Sequence, residues 1–175
     1  MANNEYRKLP VGIQSFNKIR KEGYLYIDKS DIIWKLANNG KQYNYLSRPR
    51  RFGKSVLVDT LQAYFEGRKD LFEGLKIMEL EKDWKQYPVI RLDMSRGGAT
   101  ANEVKAYLDR TFDVYEQLYG IHIKPTDSLG NRFDLIIQTA YKQTGFKVAI
   151  LIDEYDSPLQ HSWKTPEHEG CTEVY

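Results

Sequence analysis

From Gln42 to Phe65 the chain passes through an aromatic stretch, an arginine-rich loop, the triplet Gly53-Lys54-Ser55 and an apolar repeat. QYNYLS, Gln42 to Ser47, has the composition of a β-strand. Val56, Leu57, Leu61, Tyr64 and Phe65 recur at helical spacing, and Gly67 offers a stop. A strand, a glycine-containing basic loop and a helix in this order constrain backbone and chemistry together. Glycine lets backbone N–H groups close around an anion with no Cβ in the way. Lys54 adds a point charge, and the first turn of the helix aims its N–H groups and dipole at the same place.

The other segments are consistent with an α/β layered fold built on a mostly parallel sheet. Residues 1–40 read as a preamble packing on the core, in which Ser30 is the expected N-cap of a helix carrying Ile32, Ile33, Trp34 and Leu36. Residues 41–160 read as the core and 161–175 as a polar tail. PVIRLDMS, Pro88 to Ser95, is a second expected strand. Thr100 and Glu103 stand in capping-box spacing ahead of Val104, Tyr107, Leu108, Phe112, Tyr115 and Leu118, with Gly120 as the stop. A further helix carries Phe133, Ile136, Ile137, Ala140 and Tyr141 and stops at Gly145. The third expected strand begins at Lys147, and its apolar run Val148 to Ile152 suits burial on both faces of a parallel sheet.

The phosphate-binding loop of nucleotide enzymes follows G-x-x-x-x-G-K-[ST] between a strand and a helix. Arg48-Pro49-Arg50-Arg51-Phe52-Gly53-Lys54-Ser55 matches its second half, with Arg48 in place of the first glycine. Arg48 precedes a proline and is pushed towards extended geometry, so the first turn of this loop differs from a glycine-led one. Lys54 would contact the β- and γ-phosphates, and the Ser55 hydroxyl would complete a Mg²⁺ shell. Arg50 and Arg51 reach phosphate, a partner surface or water; with Phe52, Gly53, Lys54, Ser55 and Val56 they are the candidate nucleotide-binding residues. Such a site needs a carboxylate at a neighbouring strand end for magnesium and a base to orient water. Asp153 and Glu154 supply both, directly after the apolar run. Asp153 is the candidate metal residue with Ser55, and Glu154 the candidate catalytic residue with Lys54. A Gly-Lys-Ser triplet alone recurs by chance, and an acidic pair can simply mark a strand entering solvent. Two motifs in the right order, each on its expected element, point to bound Mg–ATP.

Composition narrows the class of protein. Hydrophobic residues make up 41% and charged residues 29% of the 175, the balance of a soluble globular domain. No apolar run approaches the ~20 residues that span a bilayer, and MANNEYRKLP has no apolar core of a secretory signal. The single Cys171 cannot form an internal disulfide, which fits a reducing, cytoplasmic location. A net charge of +2 is too small to argue for nucleic acid by itself, although Arg48, Arg50, Arg51 and Lys54 concentrate charge locally.

With LPVGIQSF, YLYIDKSDII, YLSRPRRFGKS, LFEGLKI, YPVIRLDMS and ILIDEYDSPL together, the chain resembles the bacterial family of predicted AAA-ATPase-like proteins, from Leu9 to Leu159. The resemblance implies a three-layer αβα P-loop fold, often linked to a C-terminal PD-(D/E)XK nuclease-type domain. It carries over Gly53, Lys54 and Ser55 as phosphate and magnesium residues and Asp153 and Glu154 as the acidic pair. The arginine-led loop is usual in that family. YIDKS resembles a segment placed near the adenine, although capping is the simpler role for Asp28. Asp93 matches a recurrent family position at a strand end, where contact with magnesium or the loop and a buried, hydrogen-bonded carboxylate are both open readings. His161 and Trp163 read as surface residues or as part of a covering loop.

Only 22 residues follow Asp153, and none forms the further strand with a polar sensor that the resemblance implies. The chain therefore reads as a domain truncated after the acidic strand. The leading expectation is an ATP- and Mg²⁺-binding module that hydrolyses ATP in its full-length form. The alternative is a nucleotide-dependent regulatory or interaction module without turnover, with a protein partner or oligomer. Nucleic-acid binding by the arginine cluster carries less weight, because the same arginines lie where ATP phosphates would be.

Overall fold

A computed structural model of the chain describes residues 7–47, 49, 52–124 and 126–174. It is α/β, with a two-stranded parallel sheet and many helices among the described residues, consistent with the αβα layering of P-loop folds. The chain divides into two compact units, Met1–Gln86 and Tyr87–Tyr175.

The first unit is helical. Its elements are α1 (Phe16–Lys21), α2 (Ser30–Asn38), α3 (Lys54–Phe65), a 3₁₀ turn at Lys69–Phe72 and α4 (Ile77–Leu80). Phe16, Ile33, Tyr64, Leu71, Phe72 and Ile77 form its core, with the Phe16 and Phe72 rings 4.9 Å apart between centroids and tilted by 45°. Burying side chains of this size stabilises by about 1.5–3 kcal/mol each. α3 is tied to α1 by a long-range bond, in which the Phe16 N–H donates to Asp59 Oδ2 at 2.6 Å.

Ser30 is the first residue of α2 rather than its cap, which is Lys29. The capping carboxylate is Asp28, whose Oδ1 accepts from the Ser30 N–H at 2.9 Å and whose Oδ2 accepts from the Lys76 N–H at 2.8 Å. The Ser30 hydroxyl, fully buried, instead accepts from the Ile77 N–H at 3.0 Å. Asp28 and Ser30 thus hold the starts of α2 and α4 together. Burial pushes the Asp28 carboxyl up, but the hydrogen bonds from Ser30 and Lys76 outweigh it and leave the group below its ordinary value.

No strand forms at Gln42–Ser47, contrary to expectation. A strand exists only where its N–H and C=O groups enter a ladder, and the described residues provide none there. Tyr43 and Tyr45 remain 84% and 72% exposed, so side-chain burial does not hold the segment as a strand either.

The second unit carries the sheet. β1 (Val89–Asp93) pairs in parallel with β2 (Ala149–Asp153), with Asp93 opposite Asp153. Parallel neighbours need a long crossover, here through α5 (Ala101–Tyr119) and α6 (Leu129–Thr144); α7 (Ser157–Ser162) and α8 (His168–Val174) follow. The expected capping box of α5 is formed: the Glu103 N–H donates to Thr100 Oγ1 at 3.2 Å, and the Thr100 N–H donates to Glu103 Oε2 at 3.1 Å. A cap of this kind is worth about 1 kcal/mol. Gly98 makes room for it, since a Cβ there would lie 2.5 Å from Glu103 Oε2, and its φ of +74° also favours glycine.

The run Val148–Ile152 is not buried on both faces. Leu151 and Asp153 are buried, whereas Ile150 and Ile152 are 40% and 49% exposed. Residues paired in register point to the same side of a sheet, so these isoleucines share a face with Ile90 and Leu92 of β1, which are buried. Cover on that face reaches β1 but not all of β2.

α5 and α6 are joined by Arg132, 7% exposed. Its Nε donates to Glu116 Oε1 at 2.7 Å, Nη1 to Asp109 Oδ1 at 2.6 Å, and Nη2 to Asp113 Oδ1 at 2.8 Å and Glu116 Oε2 at 2.9 Å. Its charge is stabilised chiefly by Glu116, which raises the guanidinium pKa. Glu116 is itself buried.

Removing one partner of a buried ion pair leaves the other uncompensated, at a cost of about 3–5 kcal/mol. Arg132→Ala should lower stability by about that amount in chemical denaturation, and Arg132→Met with Glu116→Met should recover most of it. Asp28 gives a pH signature with a defined sign. Its folded pKa is depressed, so its contribution is present above the ordinary carboxylate value of about 4 and is lost as pH falls through the lower folded value. Asp28→Asn should therefore destabilise the chain at neutral pH and flatten the acid limb of its stability profile; an unchanged limb would show that Asp28 does not contribute it.

Candidate functional site

The candidate residues fall into two groups, one in each unit. In the first unit, the Phe52 N–H donates to the Pro49 C=O at 3.4 Å. Gly53 follows at φ +75°, ψ +23°, and α3 begins at Lys54. A Cβ at Gly53 would meet nothing within 4 Å, so the glycine is needed for its left-handed backbone rather than for space in this state. The Leu57 N–H bonds back to the Gly53 C=O at 3.0 Å, which closes the first helical turn. The first N–H groups of a helix have no intrahelical acceptor and attract anions; here they belong to Lys54, Ser55 and Val56, side by side on α3. Phe52 is 64% exposed ahead of them. Arg50 and Arg51, with Arg48, lie outside the described residues.

In the second unit, Asp93 and Asp153 end neighbouring strands at the same register, so the two carboxylates stand on one side of the sheet at its C-terminal edge. That edge is where ligands of open α/β sheets bind. Asp153 is 6% exposed, and its Oδ1 accepts from the Glu154 N–H at 3.0 Å. Glu154 has φ +48°, in the left-handed region that non-glycine residues seldom occupy. Backbone held in this region costs on the order of 1–3 kcal/mol and gathers at functional sites. The turn closes through a Ser157 N–H to Glu154 C=O bond of 2.9 Å, leading into α7.

Asp93 is hydrogen-bonded but only half-buried. Its Oδ1 accepts from the Ser95 hydroxyl at 2.6 Å and the Ser95 N–H at 3.2 Å, and Oδ2 pairs with Arg96 Nε at 3.3 Å. These bonds commit the carboxylate to the turn after β1. Trp163 is exposed and stacks edge-on against His168 at 5.0 Å.

Ser55 in the first unit offers a half-buried hydroxyl and Asp153 in the second a buried carboxylate, and each by itself is a hard oxygen ligand of the kind magnesium takes. Among the described residues no group of three or more His, Cys, Asp and Glu gathers as a metal cage. Magnesium held largely by phosphate and water needs none.

Two tyrosines stand out that the helical repeat treated only as apolar positions. Tyr107 Oη accepts from the Asp93 N–H at 2.7 Å, and Tyr115 Oη accepts from the Arg91 N–H at 2.8 Å. Both hydroxyls satisfy the N–H groups of β1 that face away from β2, and Tyr107 thereby braces the residue opposite Asp153. Their separation of eight positions, about two helical turns, was the available signal.

A family model described as Predicted AAA-ATPase matches residues 10–174. The chain is also similar to a protein of Azotobacter chroococcum mcd 1 described as "Uncharacterized protein in vnfD 5'region". The two are 37% identical over 164 residues, which cover 92% of this chain and 31% of the relative, so this chain spans under a third of that protein's length. No solved structure matches. No described helix is long and apolar enough to cross a membrane. On the extent of the family match, the chain belongs to the Predicted AAA-ATPase family.

Proposed function

We propose that the chain binds ATP with magnesium and that the protein of which this fold is part hydrolyses it in the cytoplasm. The observation that carries the reading is Gly53 in the left-handed conformation at the head of a 12-residue helix that opens Lys54-Ser55. Family membership supports nucleotide binding at the coarse level.

On this reading the Lys54 ammonium contacts the β- and γ-phosphates, and the N–H groups of Lys54, Ser55 and Val56 cradle their oxygens. Arg50, Arg51 and Phe52, directly ahead of these groups in sequence, are the further candidate nucleotide-binding residues. Ser55 Oγ and Asp153 are each candidate ligands that would hold magnesium, and the metal would supply neutralisation of charge on the phosphate oxygens. Glu154 accepts a hydrogen bond from the attacking water and takes its proton as the water oxygen bonds to the γ-phosphorus. The bond from that phosphorus to the bridging oxygen breaks, and ADP leaves. β2 ends at Asp153 and the left-handed backbone follows at Glu154; on this reading the metal role falls to Asp153 and the base role to Glu154.

Glu154→Gln tests the chemistry, because the amide keeps shape and polarity but cannot take a proton. ATP turnover by the full-length protein should fall by about 10²–10⁴-fold, with ATP affinity retained. Unchanged turnover would remove Glu154 as the base. Binding without turnover in both proteins would replace hydrolysis by a nucleotide-dependent switch.

A further inference from the structure

We propose that the groove between β1 and α5 is a second binding site, for a phosphate group, built wholly from the second unit. One wall carries Asp93 and Arg96, and the other carries Tyr107, Arg110 and Thr111. Tyr107, Arg110 and Thr111 stand at i, i+3 and i+4 and therefore share one helical face.

The charge of the groove is positive and its local acids are committed. Asp93 is held by Ser95 and by Arg96 Nε at 3.3 Å. Asp109 and Asp113, the acids flanking Arg110 on α5, are bound by Arg132 Nη1 at 2.6 Å and Nη2 at 2.8 Å. Arg110 has no ion-pair partner among the described residues and is exposed. Arg96 is 75% exposed and has donors beyond its single contact with Asp93. The Tyr107 hydroxyl adds a neutral donor: it accepts from the Asp93 N–H, which leaves its own proton to give.

These donors come from opposite walls. A planar carboxylate is satisfied by one guanidinium fork, whereas the tetrahedral oxygens of a phosphate accept from both sides at once. The groove is open, so the phosphate group belongs either to a small ion or nucleotide or to the backbone of a nucleic acid strand. The separate chemistry of this site does not depend on nucleotide at Gly53.

The test is a titration of the whole chain, read at the backbone amide resonances of Tyr107, Arg110 and Thr111, in the native protein and in Lys54→Ala. Inorganic phosphate and a short single-stranded oligonucleotide are the two probes. Saturable shifts should appear in both proteins, and Arg110→Ala or Arg96→Ala should weaken them about tenfold; Lys142→Ala on α6 should leave them alone. Saturation by inorganic phosphate assigns the site to a free phosphate. Saturation by the oligonucleotide alone, weakened steeply by salt, assigns it to a phosphodiester backbone. No shift with either probe, or shifts unaltered in Arg110→Ala, would overturn the proposal.

Discussion

The parallel pairing of β1 with β2 is the constraint on which the second unit depends. Two parallel strands cannot be joined by a tight turn, so α5 and α6 must carry the chain from the end of one strand to the start of the next. That crossover needs its own fastening, and Arg132 supplies it by gripping three carboxylates of α5 from α6. The same pairing sets Asp93 and Asp153 at one register, which turns two separate strand ends into one acidic edge. The outward N–H groups of Arg91 and Asp93 would otherwise form an open edge, and open edges recruit other strands. Tyr115 and Tyr107 occupy them from α5, so the helix that makes the crossover also finishes the sheet on that side.

The first unit solves a different problem, the presentation of a helix N-terminus. α3 is held from its far side by Asp59, Thr60, Ala63 and Tyr64, which face the core or α1. Its starting residues Lys54, Ser55 and Val56 are half-buried and follow a left-handed glycine. A first turn whose N–H groups lack intrahelical acceptors is the arrangement an anion requires. Asp28 and Ser30 contribute at a distance by locking α2 and α4 beneath the same core.

Much of this was legible in the amino-acid sequence where local chemistry decides the outcome. The start of α3 at Gly53-Lys54, the capping box at Thr100 and Glu103, the stops at Gly120 and Gly145 and the end of β2 at Asp153 depend on a few neighbouring residues. What was not legible depends on partners distant in sequence. Gln42–Ser47 has strand composition, but composition does not supply a ladder. The apolar run of β2 does not state how many of its faces are covered, and Ile150 and Ile152 are exposed. Asp28 reads as a local cap, yet half of its bonding goes to Lys76, 48 residues away. Tyr107 and Tyr115 read as core positions because periodicity reports the ring and not the hydroxyl. For the candidate site, the sequence offers the motifs at Gly53–Ser55 and Asp153–Glu154, while the left-handed turn at Glu154 had no sequence signal, since glutamate seldom adopts it.

The proposed nucleotide site depends on a phosphate-binding role for the start of α3. The most direct measurement is calorimetric titration of the chain with Mg–ATP, beside the same titration of Lys54→Ala. Removing one charge-assisted contact to phosphate should weaken binding by about tenfold or more, with the folded signal of the protein unchanged. Equal affinities for the two proteins, or no binding by the native chain, would contradict it.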